Sequence, residues 1–360
     1  MNRSTEMSEK ITIVLTLKDR VEFTRRWLDS LVLQNCPYRI IIGDGGSDPN
    51  VESLVTTYQD LRISYFRYPY DENLNIFIKK FISVISKVDT EYIILADNDD
   101  FFKIDQFNEY LTFLEKNADY VAARGALINF ELFKQNGNSN AVAIGTHYEA
   151  FKIESQSLDL ISSTKRIEDL LLGMSKFDYY ANWYSIIRTR SLVDIWNKIE
   201  LLNCKDMIGM EVIFHLFLTD SGKIMIGEEP FYFRQRNTSQ LGDSLVLNNN
   251  FMETIVREDT IGCIKHVISN LLTPRPESEK DRIFKAISFW LDELIYSIKK
   301  VRIKQNSKLG SIHVLLRKKR IFRGFLLMSK FLYYKFMWGK SNFRMVKMNL
   351  FRNLIIDKNS

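Results

Sequence analysis

Three carboxylates within four positions, Asp97, Asp99 and Asp100, follow an apolar, β-prone run over residues 91–96. A buried strand that delivered these charges to one edge would be costly unless a cation lay among them. Oxygen ligands without a His or Cys cluster favour Mg²⁺ or Mn²⁺ over Zn²⁺, and such ions complete their shells with water and substrate phosphates. The segment predicts a divalent-metal site for a phosphorylated substrate. The alternative is a solvated acidic cap on a helix predicted over residues 102–116.

The first hundred residues alternate between strand and helix patterns. Strands are predicted over residues 10–17, 39–42, 61–66 and 92–96, with helices over 21–33 and 73–88. This spacing predicts an α/β fold with a mostly parallel sheet, whose ligands bind beyond the carboxyl ends of the strands. Polar candidates for a ligand site follow three strands: Thr16, Lys18 and Arg20; Asp44 and Gly45; and Asp97, Asn98, Asp99 and Asp100. Three chemical signals therefore converge on one edge.

These motifs resemble those of the family 2 glycosyltransferases with the GT-A fold, the inverting group that builds bacterial surface polysaccharides. The matching stretches are residues 11–20 (ITIVLTLKDR), 40–48 (IIIGDGGSD) and 92–100 (YIILADNDD). The resemblance implies a Rossmann-like central sheet, a nucleobase contact by Asp44, and a metal held by Asp97 and Asp99 on the donor diphosphate. Two departures are clear. Thr-Leu-Lys-Asp replaces the usual Pro-Thr-Tyr-Asn after the first strand, and Asp44-Gly45 replaces a paired Asp-Asp.

Two donor-site candidates have structural alternatives. Gly45 and Gly46 could serve a tight turn at positive φ without contacting any ligand. Lys80, on the helix before the acidic motif, could approach a diphosphate as a point charge, or it could lie on a solvated helix face.

A further acid is needed as general base, because inverting transfer is a single displacement in which a carboxylate deprotonates the acceptor hydroxyl. The resemblance implies an acidic doublet at the start of a helix, and residues 210–212 (Met-Glu-Val) occupy that place with one acid. Glu211 is the predicted base and Asp206 the reserve candidate. The alternative for Glu211 is a first-turn acid that complements the helix dipole.

The acceptor side is predicted to include aromatic and basic residues. Trp183 and Tyr184 could form an apolar platform for a sugar ring, or they could belong to the core. Many members of the resembled family place a metal-binding histidine where this chain has residues 232–236 (YFRQR), which contain none. Arg234 or Arg236 could clamp donor phosphate instead.

Composition suits a reducing compartment and more than one domain. The chain has 360 residues, 46% hydrophobic and 26% charged, and its three cysteines are too few and too widely spaced for a disulfide framework. Residues 1–10 are polar and no apolar run approaches the ~18 residues of a membrane span, which predicts a cytoplasmic enzyme. The predicted division is a catalytic domain over 1–245, a helical extension over 246–305 and a basic, aromatic-rich helical segment over 306–360.

Positive charge is concentrated at the C-terminal end. Residues 301–360 contain 15 Lys or Arg and one acid, whereas the whole chain carries +6, which leaves residues 1–300 at −8. Apolar side chains within residues 315–337 recur at seven and four residue intervals, as in an amphipathic helix. The pattern predicts peripheral binding to an anionic membrane. The alternatives are packing within the protein or in a homo-oligomer and, least favoured, nucleic-acid binding.

The combined prediction is an inverting, metal-dependent glycosyltransferase that moves a sugar from a nucleotide-diphosphate donor to a glycan or lipid-linked acceptor. A sugar-nucleotide nucleotidyltransferase is the alternative enzyme, but residues 16–20 lack the glycine that its phosphate-binding turn would need. A catalytically degenerate sugar-nucleotide-binding module is the non-enzyme alternative, and loss of the carboxylates would mark it.

Overall fold

A computed structural model describes residues 8–134, 141–147, 158–176, 180–202, 207–235 and 258–306. The described chain is built around one nine-stranded sheet. Its strands are β1 (Ile11–Leu17), β2 (Arg39–Asp44), β3 (Arg62–Arg67), β4 (Tyr92–Ala96), β5 (Phe101–Phe102), β6 (Tyr120–Lys134), β7 (Ala141–His147), β8 (Ile186–Arg188) and β9 (Lys223–Gln235). The strand order is β3-β2-β1-β4-β8-β6-β9-β5, and β7 pairs with β6.

Helices cover both faces of the sheet. They are α1 (Val21–Leu33), α2 (Asn50–Val55), α3 (Leu74–Ile85), α4 (Phe107–Lys116), α5 (Ser163–Lys176), α6 (Thr189–Leu202), α7 (Met207–Ser221), α8 (Glu258–His266) and α9 (Glu277–Asn306). Short 3₁₀ turns span Ile104–Gln106 and Tyr180–Tyr184, and a π-helical turn spans Val267–Leu271.

The first half of the sheet is parallel, as predicted. β1 pairs with β2 on one side and β4 on the other, and β2 pairs with β3, all in parallel. β4 is buried along its whole length, and only Thr16 of β1 is partly exposed, which explains their continuous apolar sequences. The carboxyl ends of β1, β2 and β4 therefore meet at one edge, and the four predicted strands and two predicted helices are confirmed.

The second half is mixed, and it corrects one predicted boundary. β8 runs antiparallel to β4 and β6, whereas β6 runs parallel to β9. The helix predicted over residues 102–116 begins only at Phe107. Phe101 and Phe102 form β5 instead, because they are buried in antiparallel pairing with Phe233 and Tyr232 of β9. This pairing connects the residues just after the acidic motif to β9.

Two apolar clusters enclose the sheet, one on each face. One unites the apolar sides of α3, α6 and α7 with side chains of the C-terminal helices, including Ile264, Ile283 and Trp290. The other lies under α1, α2 and α4. Polar contacts also tie the C-terminal helices down: Arg282 pairs with Glu168 at 2.6 Å and Arg275 with Asp220 at 2.5 Å.

The described part of the predicted extension is thus helical and packs on the helices that cover the sheet. Within the described residues, none of the helices is both long and apolar enough to cross a lipid bilayer. The basic segment predicted over residues 306–360 lies outside the described residues after Asn306, so its membrane role stays a prediction.

Candidate active site

The turn after β1 is held in an unusual backbone conformation. Asp19 and Arg20 both adopt left-handed geometry, with φ of 59° and 68°. Two consecutive non-glycine residues there carry a strain of about 1–2 kcal/mol each. The Asp19 carboxylate accepts hydrogen bonds from the backbone N–H groups of Ser47, at 2.6 Å, and Asp48, at 3.0 Å. Burial opposes ionisation of Asp19, but these N–H donors outweigh it, and its pKa lies below the ordinary value. The turns after β1 and β2 are therefore locked together.

In the acidic turn after β2, both oxygens of the Asp44 carboxylate accept hydrogen bonds from nearby residues. Asp44 is fully buried, and its Oδ1 accepts from the Gly46 N–H at 2.7 Å. Its Oδ2 accepts from the Tyr65 hydroxyl at 2.6 Å and from Arg67 at 2.7 Å. The same guanidinium donates to the Gly46 carbonyl at 2.6 Å. Asp44 thus organises the turn, and its predicted contact with a nucleobase stays a prediction.

A buried ion pair lies beneath this turn. Lys80 is only 3% exposed, pairs with Asp71 and donates to the Leu17 carbonyl at 3.0 Å. It is therefore not on a solvated helix face; burial lowers its pKa, and Asp71 opposes that change. A Cβ at Gly45 would overlap the carboxylate of Asp71. Gly45 is required by this close approach, and not by the positive φ that the sequence suggested as an alternative.

The three carboxylates after β4 are crowded. Asp97, Asp99 and Asp100 each place one oxygen within 4.8 Å of the other two. Burial, and then the charge of Asp99, raises the pKa of Asp97 to about 6 and that of Asp100 well above its ordinary value. Asp99 and Asp100 are at most 2% exposed, which rules out a solvated helix cap. An all-oxygen donor set of crowded carboxylates fits Mg²⁺ or Mn²⁺.

Each carboxylate has a distinct partner. Asp97 Oδ2 accepts from the Tyr184 hydroxyl at 2.5 Å, and Asp99 Oδ2 pairs with Arg20 at 3.1 Å. Asp100 uses both oxygens, accepting from the Tyr232 hydroxyl at 2.5 Å and from the Gln235 N–H at 2.8 Å. Asp100 therefore anchors the motif to β9.

Sequence reasoning missed a second arginine at this edge. Arg26 donates to the Asp99 carbonyl at 3.2 Å and to Gln235 Oε1 at 2.7 Å. Burial lowers its pKa to about 10, against the opposing charges of Asp99 and Asp100. The Phe23 ring lies 4.1 Å from the Arg20 guanidinium carbon and 5.0 Å from that of Arg26. The spacing of Arg20, Phe23 and Arg26 on one helix face was the available signal.

Asn98 and the two aromatic candidates are packed inside the protein. Asn98 donates to the Thr24 hydroxyl at 3.0 Å and is buried. The Trp183 ring contacts Phe214, with centroids 5.1 Å apart, in the core cluster of α3, α6 and α7. Tyr184 is 6% exposed, and its ring stacks on Tyr232. This packing favours the core alternative over an open sugar platform.

Glu211 lies in the second turn of α7, which begins at Met207. The first-turn dipole explanation therefore loses its basis, because that effect fades beyond the first turn. Glu211 precedes Phe214 by three residues, and Phe214 contacts Trp183, the neighbour of the Tyr184 that binds Asp97. The helix that carries Glu211 therefore packs on the 3₁₀ turn that carries Tyr184.

The remaining predicted residues differ in what can be said of them. The charge of Arg234, on β9, opposes the burial-driven rise in the pKa of Asp97 and Asp100, which places it near both. Thr16 is half-buried at the end of β1. Asp206 and Arg236 lie outside the described residues.

A surface cleft opens beside the carboxylates, between the start of α1 and α2. It is lined by residues that include Lys18, Arg20, Phe23, Asp48, Asn50 and Ser53. The exposed Lys18 donates to the Asp71 carbonyl at 2.7 Å and lies 4.2 Å from the centre of the Tyr70 ring. The cleft therefore lies between the turns after β1 and β2, and Arg20 connects it to Asp99.

Solved structures with a similar fold include those of Staphylococcus aureus TarS. One structure of TarS matches with a TM-score of 0.51 and 14% identity, covering 78% of this chain and 43% of that one. TarS 1–349 with UDP matches at 0.51 and 15% identity, covering 86% and 78%. TarS 1–349 with UDP-GlcNAc matches at 0.50 and 15% identity, covering 83% and 76%. At such identities the likeness shows the fold. The chain spans less than half the length of the first of these TarS chains.

Sequence comparison finds a family match for the first part of the chain. No curated protein matches the chain significantly. Residues 12–165 match the family model described as Glycosyl transferase family 2, and this range contains all three strand-end motifs. The region from β1 to the start of α5 therefore matches a family 2 glycosyltransferase domain, and the described chain has the GT-A fold.

Proposed function

We propose that the protein is an inverting, metal-dependent transferase that moves a sugar from a nucleotide-diphosphate donor to a glycan or lipid-linked acceptor of a bacterial surface polysaccharide. The observation that carries this proposal is the carboxylate trio within 4.8 Å at the carboxyl edge of the parallel strands. Such crowding is stable when a cation is present, and diphosphates are the ligands that share Mg²⁺ or Mn²⁺ with protein carboxylates.

Asp97 and Asp99 are the residues proposed to hold the metal. Both oxygens of Asp100 already accept hydrogen bonds, so its role is to anchor the motif. When bound, a divalent ion would neutralise charge on the departing nucleotide diphosphate.

Arg20 is the proposed phosphate ligand. Its guanidinium reaches Asp99 and it also lines the cleft beside the motif, so it is within reach of a diphosphate held there. Guanidinium groups bind phosphate oxygens through charge-assisted hydrogen bonds. Lys18 adds positive charge to the lining of the cleft, and the charge of Arg234 acts on Asp97.

Glu211 is the proposed general base. Its carboxylate would take the proton of the acceptor hydroxyl as that oxygen bonds to the anomeric carbon, while the bond from that carbon to the diphosphate oxygen breaks. One displacement inverts the anomeric configuration. The packing of α7 on the 3₁₀ turn that carries Tyr184 supports the role, and Asp206 remains the reserve.

A thermal-shift screen of nucleotides with and without Mn²⁺ tests the proposal. TarS is known with UDP and UDP-GlcNAc, so uridine nucleotides are the first probes here. A nucleoside diphosphate at 100 times its Kd should add about 2.7 kcal/mol of stability, but only with metal. No stabilisation by any nucleoside diphosphate would reject the transferase. Preference for triphosphates would favour the nucleotidyltransferase, and binding without sugar transfer the degenerate module.

We also propose that residues 315–338 attach the enzyme to an anionic membrane beside lipid-linked acceptors. The support is the charge of the sequence over 301–360, with 15 basic residues and one acid. Basic segments gain about 1 kcal/mol per Lys or Arg near such a surface. Flotation with phosphatidylserine vesicles should recover the full chain at low salt and not at high salt. Failure to float, with loss of oligomeric state on truncation after residue 306, would assign the segment to protein packing.

A further inference from the structure

Two buried tyrosines meet behind the carboxylates. Tyr184 ends the 3₁₀ turn before β8, and Tyr232 lies in β9, so the two come from different parts of the chain. Their ring centroids are 3.9 Å apart and their planes differ by 15°. They are 6% and 1% exposed. The rings therefore hold each other in place within the protein.

Each hydroxyl of this pair reaches a different acid. Tyr184 donates to Asp97 and Tyr232 donates to Asp100, both at 2.5 Å. The stack thus spans the acidic motif, with one bond at its first carboxylate and one at its last. The Gln235 N–H holds the second oxygen of Asp100, which leaves that side chain no rotational freedom.

Carboxylates that share a small volume repel one another and would turn apart if nothing opposed them. Two short hydrogen bonds from a rigid stack oppose that movement. The rotation of the Asp97 carboxylate is then set by Tyr184, whose own ring is set by Tyr232. Loss of the Tyr184 hydroxyl and loss of the Tyr232 hydroxyl should therefore have effects of different size.

We infer that Tyr184 and Tyr232 are a positioning pair that sets the orientation of the metal-binding carboxylates before metal arrives. The inference rests on the proposed metal site and adds to it the residues that give the site its shape. Neither tyrosine needs to touch the metal or the donor. A site held at fixed spacing should discriminate against larger cations, because Mg²⁺ and Mn²⁺ demand shorter, more regular coordination than Ca²⁺.

The test measures Mn²⁺ affinity directly, by the electron paramagnetic resonance signal of free Mn²⁺, without substrate. Tyr184→Phe should weaken Mn²⁺ binding about 10–100-fold, the range for lost partners of metal ligands. Tyr232→Phe should weaken it less, because it acts through Asp100 and the stack. Competition with Ca²⁺ should show that both variants discriminate less between Ca²⁺ and Mn²⁺ than the unmodified protein does.

Tyr38→Phe is the matched control. Tyr38 is 2% exposed and its hydroxyl donates to Asn108 at 3.0 Å, away from the carboxylates. It should lose a similar amount of thermal stability with no change in Mn²⁺ affinity. Tyr184→Phe and Tyr232→Phe are independent single variants, so either one that folds can test the inference.

Two outcomes would overturn the inference in different ways. If Tyr184→Phe binds Mn²⁺ as tightly and selectively as the unmodified protein, the pair has no positioning role, although the metal site stands. If the unmodified protein binds no Mn²⁺ at all, with or without a nucleoside diphosphate, the proposed metal site fails and the pair with it.

Discussion

The two acidic turns at the carboxyl edge differ in how their charge is balanced. After β2, the Asp44 carboxylate is satisfied by Gly46, Tyr65 and Arg67. After β4, three carboxylates lie within 4.8 Å of one another, and Arg20 is the cation paired with Asp99. Both turns are acidic and follow parallel strands of the same sheet. Only in the second do three carboxylates crowd one another, and the guanidinium groups of Arg20, Arg26 and Arg234 lie near them.

The turn after β2 therefore has a structural role, whereas the turn after β4 is the candidate reactive site. A buried carboxylate with three hydrogen bonds stabilises the fold, and removing it leaves donors without partners. A crowded carboxylate costs the metal-free fold free energy, and its presence is explained by a ligand. Substitutions in the two turns should therefore change different quantities, which the following predictions use.

The largest effect is expected from Asp99→Asn in the crowded turn. Mn²⁺-dependent nucleotide affinity and sugar transfer should fall by about 10³-fold or more, because a proposed metal ligand is lost. Thermal stability without metal should not fall, since like-charge repulsion is relieved. Asp44→Asn is the contrasting variant: it should lower stability by about 1–3 kcal/mol, because buried donors lose a charged acceptor. Equal losses of stability in both would erase the distinction between the turns.

Glu211→Gln should separate chemistry from binding. We expect kcat to fall about 10²–10⁴-fold, the range for a lost general base, while the Kd for the donor nucleotide is unchanged. Single-turnover transfer and nucleotide titration measure the two. Glu200→Gln, at an exposed position on α6, is the control and should be neutral. Unchanged turnover in Glu211→Gln would move the role to Asp206.

Gly45→Ala should destabilise the protein by overpacking the turn after β2. The added Cβ would overlap the Asp71 carboxylate, which is held by buried Lys80, so the pair must shift. Overpacking of this kind costs about 1–3 kcal/mol of unfolding free energy, measurable by denaturant titration. Gly262→Ala is the control, because a Cβ there meets nothing within 4 Å and the helix gains propensity. A Gly45→Ala protein as stable as the control would show that the turn accommodates the added methyl group without a loss of stability.

Arg20→Ala should have opposite effects on two ligands. Arg20 neutralises Asp99, so its loss should tighten free Mn²⁺ binding by a few-fold. It should also weaken the donor diphosphate by about 10-fold, because a charge-assisted hydrogen bond to phosphate is lost. Calorimetric titration with each ligand gives the signs. Arg62→Ala, at the amino end of β3 and paired with Glu9 at 2.6 Å, should change neither. Weaker binding of both ligands would show that Arg20 supports the metal site.

Local sequence patterns were enough for the parallel half of the molecule. Buried strands of a parallel sheet read as continuous apolar runs, and α1 obeys its predicted bounds because its apolar residues recur at helical spacing. Strand ends in such a sheet meet by geometry, so residue order and strand pattern were sufficient to group Asp44, Asp97 and Asp99. Phe101 and Phe102 could not be assigned this way, because their strand exists only through pairing with β9.

The amino-acid sequence by itself determined the acidic motif, the sheet edge where it lies and the carboxylates that crowd there, since each follows from residue type and periodicity. Tertiary structure alone decided which side chains form hydrogen bonds and ion pairs with these charged groups. Tyr232 and Gln235 reach Asp100 from more than 130 residues away, and Lys80 turns inward to Asp71 instead of facing solvent. Such partners depend on strand register and on which helix face is covered, and those are set by packing between distant segments.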